Sequence, residues 1–133
     1  MHNAREAAAA GLGFDQASLI KTLAYTTPGG WLLVAMRALD RVDHGALAKA
    51  ANIERRKLKY AAEADLERSF GWQVGGAAPI PLSEAVTIIV DQAVLELPRI
   101  FFGGGRRDIT VETRPDALFG AITHIVAAVA KKP

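Results

Sequence analysis

Apolar and polar positions alternate from residue 18 to residue 27. Leu19, Lys21, Leu23 and Tyr25 fall on one side of an extended chain, and Ile20, Thr22, Ala24 and Thr26 on the other. Pro28, Gly29 and Gly30 supply the turn into a second strand over residues 31–36, so the two segments predict a hairpin. Upstream, residues 3–12 are alanine-rich, with Asn3 as a cap and glycines at the end, the pattern of a short helix. Downstream, Asp43 is placed to cap a helix from His44 to about Ala51, with Asn52 as its stop. A short strand is expected over residues 57–61 and a helix over 62–70. The run Val86 to Val90 carries β-branched residues on both parities, as a central strand covered on both faces does. A helical turn is predicted over 91–97, strands over 98–102 and 108–113, and a last helix opened by Pro115 at its favoured first-turn position. Residues 121–130 are apolar and fit either further helix or a closing strand. Strands and helices interleave, but two hairpins interrupt any regular βαβ repeat, which predicts one mixed sheet with helices packed around it.

Composition adds bounds to this picture. At 133 residues, half of them hydrophobic, the chain fits one domain with a core that needs no staples. It has no cysteine, hence no disulfide framework, thiolate metal site or cysteine nucleophile. The alanine run near the N-terminus is too short for a signal-peptide core or a membrane span, so a soluble, cytoplasmic protein without a membrane partner is expected. The net charge is only +2, yet the cations are clustered: Arg55, Arg56, Lys57 and Lys59, then Arg106 with Arg107, then Lys131 with Lys132. Such clusters either track phosphates or form a solvated face.

The stretch with the strongest candidate chemistry is 71–82. Gly75, Gly76, Ala77, Ala78 and Pro79 have the form Gly-x-x-x-Pro and carry only small side chains. Adjacent glycines permit positive φ and a close approach of backbone N–H groups to a carbonyl or phosphate oxygen, while Pro79 and Pro81 stiffen the exit. The plain reading of the same residues is a wide turn leading into the next strand. Lys21 is a cation in an otherwise apolar strand row, where its ammonium either snorkels to water or is retained for its charge. Asp91 directly follows the buried strand, where α/β sites often lie, and is equally suited to cap the helical turn after it. His2, His44 and His124 lack metal-ligand spacing, and no P-loop, dinucleotide fingerprint or nucleophile elbow is present, so no cofactor or metal is expected.

Four segments in order carry a resemblance. Ile20-Lys21-Thr22-Leu23, then Gly75-Gly76-Ala77-Ala78-Pro79, then Val90-Asp91, then Ile100-Phe101-Phe102-Gly103-Gly104-Gly105-Arg106-Arg107 resemble the YbaK/ProX family of trans-editing aminoacyl-tRNA deacylases over nearly the whole chain. The resemblance implies a single α/β (mixed α+β) domain built on a mixed, mostly antiparallel twisted sheet or partial barrel. It implies hydrolysis of a small, wrongly attached amino acid from tRNA. Lys21 would then position or stabilise the aminoacyl group, and the backbone at Gly75 and Gly76 would hold its carbonyl. Ala77, Ala78, Pro79, Asp91, Gly103 and Gly104 would line the substrate site. Arg106 and Arg107 are the first candidates for contact with the tRNA acceptor end, and Arg55, Arg56 and Lys57 the second. An aminoacyl-tRNA synthetase and a second copy of the chain are the protein partners in view.

Two departures from the family pattern bear on this reading. Family members commonly begin with an extra strand-bearing segment before the helix placed here at 3–12, so part of the pocket wall is expected to be missing or replaced, with a homodimer as one route. Relatives acting on cysteinyl-tRNA often carry a serine where Gly103 stands, so that specificity is not carried over. The competing readings are a tRNA- or synthetase-binding module of the same fold without turnover, and a small-molecule enzyme unrelated to tRNA.

Overall fold

The computed structural model describes residues 18–61, 86–103 and 110–131. The expected helices over 3–12 and 62–70 and the glycine loop at 71–82 lie outside these residues. The first strand, β1 (Ile20–Thr27), pairs antiparallel with β2 (Gly30–Arg37) in full register from Ile20↔Arg37 to Thr27↔Gly30. Thr27 Oγ1 fixes the two-residue turn by accepting from Gly29 N at 3.2 Å and donating to Gly30 O at 2.9 Å. Gly30 has φ 126°, a value that side-chain-bearing residues rarely adopt.

Five consecutive residues of β2, Leu32 to Met36, are buried, which places this strand in the middle of the sheet. Beyond it lie β4 (Val86–Asp91) and β7 (Ile125–Ala127), each parallel to its inner neighbour, and outside β1 lies β3 (Lys59–Tyr60). The order is β3-β1-β2-β4-β7, a mixed sheet that does not close among the described residues. A second antiparallel pair, β5 (Ile100–Gly103) with β6 (Thr110–Thr113), attaches to the start of β1 through the Leu19↔Phe101 bridge. The mixed sheet, the two hairpins and the inner position of β4, whose Ile88, Ile89 and Val90 are buried, agree with the sequence pattern, whereas the middle place belongs to β2, the second strand of the first hairpin.

The two sides of the sheet serve two cores. Ile20, Ala24, Leu33, Ala35, Ile88 and Val90 face Ile100, Phe102 and Phe119, whereas Tyr25, Leu32, Val34 and Ile89 face Leu47 and Val129. Leu47 sits on α1 (His44–Ala51), which begins where Asp43 Oδ1 accepts from Ala46 N at 3.1 Å and ends where Asn52 turns left-handed at φ 57°. A fully buried leucine of this kind stabilises the fold by roughly 2–3 kcal/mol.

Three expected elements have different limits, each for a local reason. The strand expected at 57–61 is a 3-10 turn over Arg55–Lys57 followed by the two residues of β3, because Lys57 N and Leu58 N bond back to Glu54 O and Arg55 O. The helical turn expected at 91–97 is only α2 (Gln92–Leu95), since Asp91 is still the last residue of β4 and caps it. The strand expected from Pro98 begins at Ile100, beyond a proline that has no N–H to give a ladder. Pro115 opens α3 (Pro115–Phe119) as expected, and the ambiguous run 121–130 contains β7, a strand defined by its pairing to β4.

Candidate functional site

Because β2, β4 and β7 are parallel, their carboxyl ends share one edge of the sheet, and antiparallel β1 begins at that edge. Register carries Lys21 opposite Met36, and one further step of the β2–β4 pairing puts Met36 beside Asp91. Lys21 and Asp91 therefore occupy one row across three strands, with Cα atoms about 10 Å apart at the usual strand spacing. Ligands bind outside the carboxyl ends of parallel strands because the strands leave their loops there.

Lys21 is half-buried, and its Nζ donates to the backbone carbonyl of Asp40 in the turn after β2. That turn is held from both sides. Ala38 N donates to Leu19 O at 2.8 Å, and the Asp40 carboxylate accepts from Arg37 Nε at 2.7 Å and from a terminal guanidinium nitrogen at 3.2 Å. The paired carboxylate, acting mainly through its hydrogen bond and against desolvation, raises the Arg37 guanidinium above its ordinary pKa. The ammonium is thus aimed by a carbonyl whose own position is fixed by a fork-shaped ion pair. The neighbouring Thr22, on the opposite face of β1, has a buried Oγ1 without a hydrogen-bond partner among the described residues.

Asp91 is 2% exposed, and its carboxylate is committed to the backbone. One oxygen accepts from Ala93 N at 3.2 Å at the start of α2; the other accepts from Val129 N at 2.9 Å and Ala130 N at 3.2 Å. The cap anticipated for this residue is present, together with a staple to a segment far away in sequence. A cleft of about 600 Å³ opens at the same edge, lined among others by Arg37, Asp40, Arg41, Asp91, Gln92 and Lys131. Arg41 and Lys131 are exposed there, and their backbones are joined by Lys131 N donating to Arg41 O at 2.7 Å.

The structure brings Lys21 and Asp91 to one edge. Gly103 ends β5, paired with Thr110 at the end of the second hairpin where the connection leaves the strands. Gly75, Gly76, Ala77, Ala78, Pro79, Gly104, Arg106 and Arg107 lie outside the described residues. Arg55, Arg56 and Lys57 are exposed in the 3-10 turn, at the end of β1 away from Lys21. Sequence reasoning missed the Asp40 carbonyl and Arg37. The one local signal was an Arg and an Asp three residues apart at the end of a strand, whereas the contact with Lys21 follows from hairpin register.

A second feature passed over is Tyr25, whose hydroxyl lies 3.0 Å from His44 Nε2 and whose ring meets Tyr60 edge-on at 5.5 Å. Burial, reinforced by Tyr60, pushes its phenol up to about 12.

Comparison with known proteins agrees with this architecture. A crystal structure of the hypothetical protein APE2540 superposes with a TM-score of 0.85 at 26% identity, covering 98% of this chain and 85% of that one. A proposed trans-editing enzyme for prolyl tRNA synthetase superposes at 0.84 with 21% identity, over 98% and 81% of the two chains. A scaffold from computational epitope backbone grafting gives 0.81 at 20% identity, over 92% and 79%. The family model for the aminoacyl-tRNA editing domain matches residues 1–120. With that match across most of its length, the chain belongs to the aminoacyl-tRNA editing domain family.

Proposed function

We propose that this editing domain is a deacylase that hydrolyses the ester of tRNA carrying a small, wrongly attached amino acid. The observation that carries the reading is the Lys21 ammonium, held half-buried at the carboxyl edge of the sheet by a fixed backbone carbonyl. An aminoacyl ester is already activated, so a hydrogen-bond donor aimed at the developing oxyanion, with oriented water, supplies much of what hydrolysis requires. One such donor is worth about 3 kcal/mol. In this reading Lys21 stabilises the aminoacyl group and the Gly75 and Gly76 backbone holds its carbonyl. Ala77, Ala78, Pro79, Gly103 and Gly104 shape a pocket for a small side chain. Asp91 acts at one remove, by fixing the segment at 129–130 that borders the cleft.

A separate editing site meets a physical need, because one methylene is worth only about 1–3 kcal/mol at a synthetic site. The tRNA contact is to phosphates and the unpaired acceptor end, with Arg106 and Arg107 as first candidates. The setting is the cytoplasm, alongside the synthetase whose errors it clears.

Incubating the protein with a panel of mischarged tRNAs tests the reading: release of a small amino acid above the buffer rate is expected, and none from any member of the panel would refute it. Gly76→Val should slow the reaction as well, since a β-branched side chain obstructs a close backbone approach. A tRNA- or synthetase-binding module without turnover is the second reading. It is favoured by the commitment of the Asp91 carboxylate to backbone N–H groups, which takes that group out of proton transfer. It predicts binding without release.

A further inference from the structure

A second cleft, of about 490 Å³, lies at the far end of β1 and is lined by Thr26, Thr27, Pro28, Arg56, Lys57 and Lys59. Its three cations are exposed and come from two consecutive elements, the 3-10 turn and β3, which the Thr26↔Lys59 pairing holds beside the end of β1. Among the described residues no carboxylate lines it; Glu54 stands beside it and binds Arg56 through Nε. Tyr60, next in β3, is 63% exposed, although its ring rests edge-on against Tyr25. An exposed aromatic ring flanked by clustered cations is the combination that binds a nucleic-acid strand, with phosphates in the groove and a base on the ring.

Strand parity fixes the relation to Lys21. Tyr60 is paired with Tyr25, which shares a face of β1 with Lys21, four residues away or about 13 Å; Lys59, paired with Thr26, projects to the other face, so a bound strand crosses the outer strand β3 between them. The cleft at Thr27 is six residues from Lys21, about 20 Å. At about 3.4 Å per stacked nucleotide that span is roughly six nucleotides, longer than the unpaired terminus of a tRNA.

We propose that the Arg56–Lys57–Lys59 cleft with Tyr60 is a phosphate-binding site for the acceptor stem, engaging RNA near its first base pairs while the aminoacyl end reaches Lys21. The inference rests on the deacylase reading for what lies at Lys21, but the cleft binds uncharged RNA in its own right. It makes the domain a gauge of RNA length: short aminoacylated fragments reach Lys21 without filling the cleft, and a whole acceptor stem fills both.

The test uses a fluorescent, uncharged acceptor-stem hairpin with its unpaired 3′ end, titrated against the full chain by anisotropy over a range of KCl, beside a trinucleotide with the same 3′ end. In the triple variant R56A/K57A/K59A, hairpin affinity should fall tenfold or more, and the slope of log K against log salt should flatten by about two units. Tyr60→Ala should weaken the hairpin roughly tenfold with the slope unchanged. Trinucleotide binding should be the same in all three proteins. All four side chains are exposed, and thermal unfolding confirms that the variants are folded.

Parental affinity and slope in the triple variant would overturn the proposal, as would no hairpin binding by the parent or an equal loss for the trinucleotide. If the three cations govern binding of inorganic tripolyphosphate but not of the hairpin, the RNA assignment falls. The two readings fail separately. A parent that binds the hairpin through the cleft and releases no amino acid sinks the deacylase; a triple variant that deacylates whole tRNA with parental kcat/KM sinks the cleft.

Discussion

The Asp91 carboxylate accepts a hydrogen bond from the backbone N–H of Val129, at 2.9 Å and out of contact with water, so a side chain at the end of β4 anchors the segment that follows β7. The same carboxylate caps α2 through Ala93 N and also takes Ala130 N. Asp91→Ala leaves three donors without this partner, and the loss should be about 3 kcal/mol or more in urea unfolding. Asp91→Asn keeps acceptor capacity on one atom only and should fall between the two.

Lys21 has the opposite profile. Its ammonium is half-buried and bonded to the Asp40 carbonyl. Lys21→Ala removes a cation that is costly to desolvate, so stability should change by no more than about 1 kcal/mol. Release of amino acid from mischarged tRNA should fall roughly 100-fold, the cost of losing one oxyanion donor. Unfolding of the variant would instead make Lys21 a structural residue.

Tyr25 gives the fold an alkaline limit. Its phenol is raised from 10.0 to about 12, first by burial and then by Tyr60. The folded state therefore holds that proton more tightly than the unfolded chain does. The stabilisation is complete below about pH 10 and is lost as pH rises toward 12. Tyr25→Phe should flatten this limb of the stability profile. At neutral pH it should cost about 0.5–1.5 kcal/mol through the lost bond to His44. Urea titrations at several alkaline pH values measure both effects.

Gly120 ends α3 with ordinary helical angles, yet a Cβ placed there would stand 2.5 Å from the Asp116 carbonyl oxygen. Gly120→Ala therefore forces the last turn of α3 to shift and should destabilise the protein by about 1–3 kcal/mol, despite the better helix propensity of alanine. A variant as stable as the parent would show that this turn moves freely.

What could be read from the sequence was local. Asp43, Asn52 and Pro115 mark helix ends through their own backbone chemistry, and all three do so in the structure. Lys21 stood out because a cation interrupted an apolar row, and the row depends only on period two. The strand at Ile125–Ala127 gave no such signal: three residues, two of them exposed, are a strand only because β4 offers them a parallel edge. The partner of Lys21 was hidden for a related reason, since a backbone carbonyl has no side-chain identity to betray it. The basic run at 55–57 was visible as charge, but its place at the far end of β1 from Lys21 required the β1–β3 register.

The segment that follows β7 also sets an order of events. Asp43 N donates to Val129 O, Lys131 N donates to Arg41 O, and Val42 and Ala130 form a bridge, so residues near the first helix are latched by some of the last residues described. A loop that long must close before its contacts repay the lost chain entropy, which makes such non-local pairing slow. During synthesis the β1–β2 hairpin can form early and wait. The edge that carries Lys21 stays unfinished until the segment around residue 130 has emerged and docked, so that edge is assembled after the hairpin and not with it.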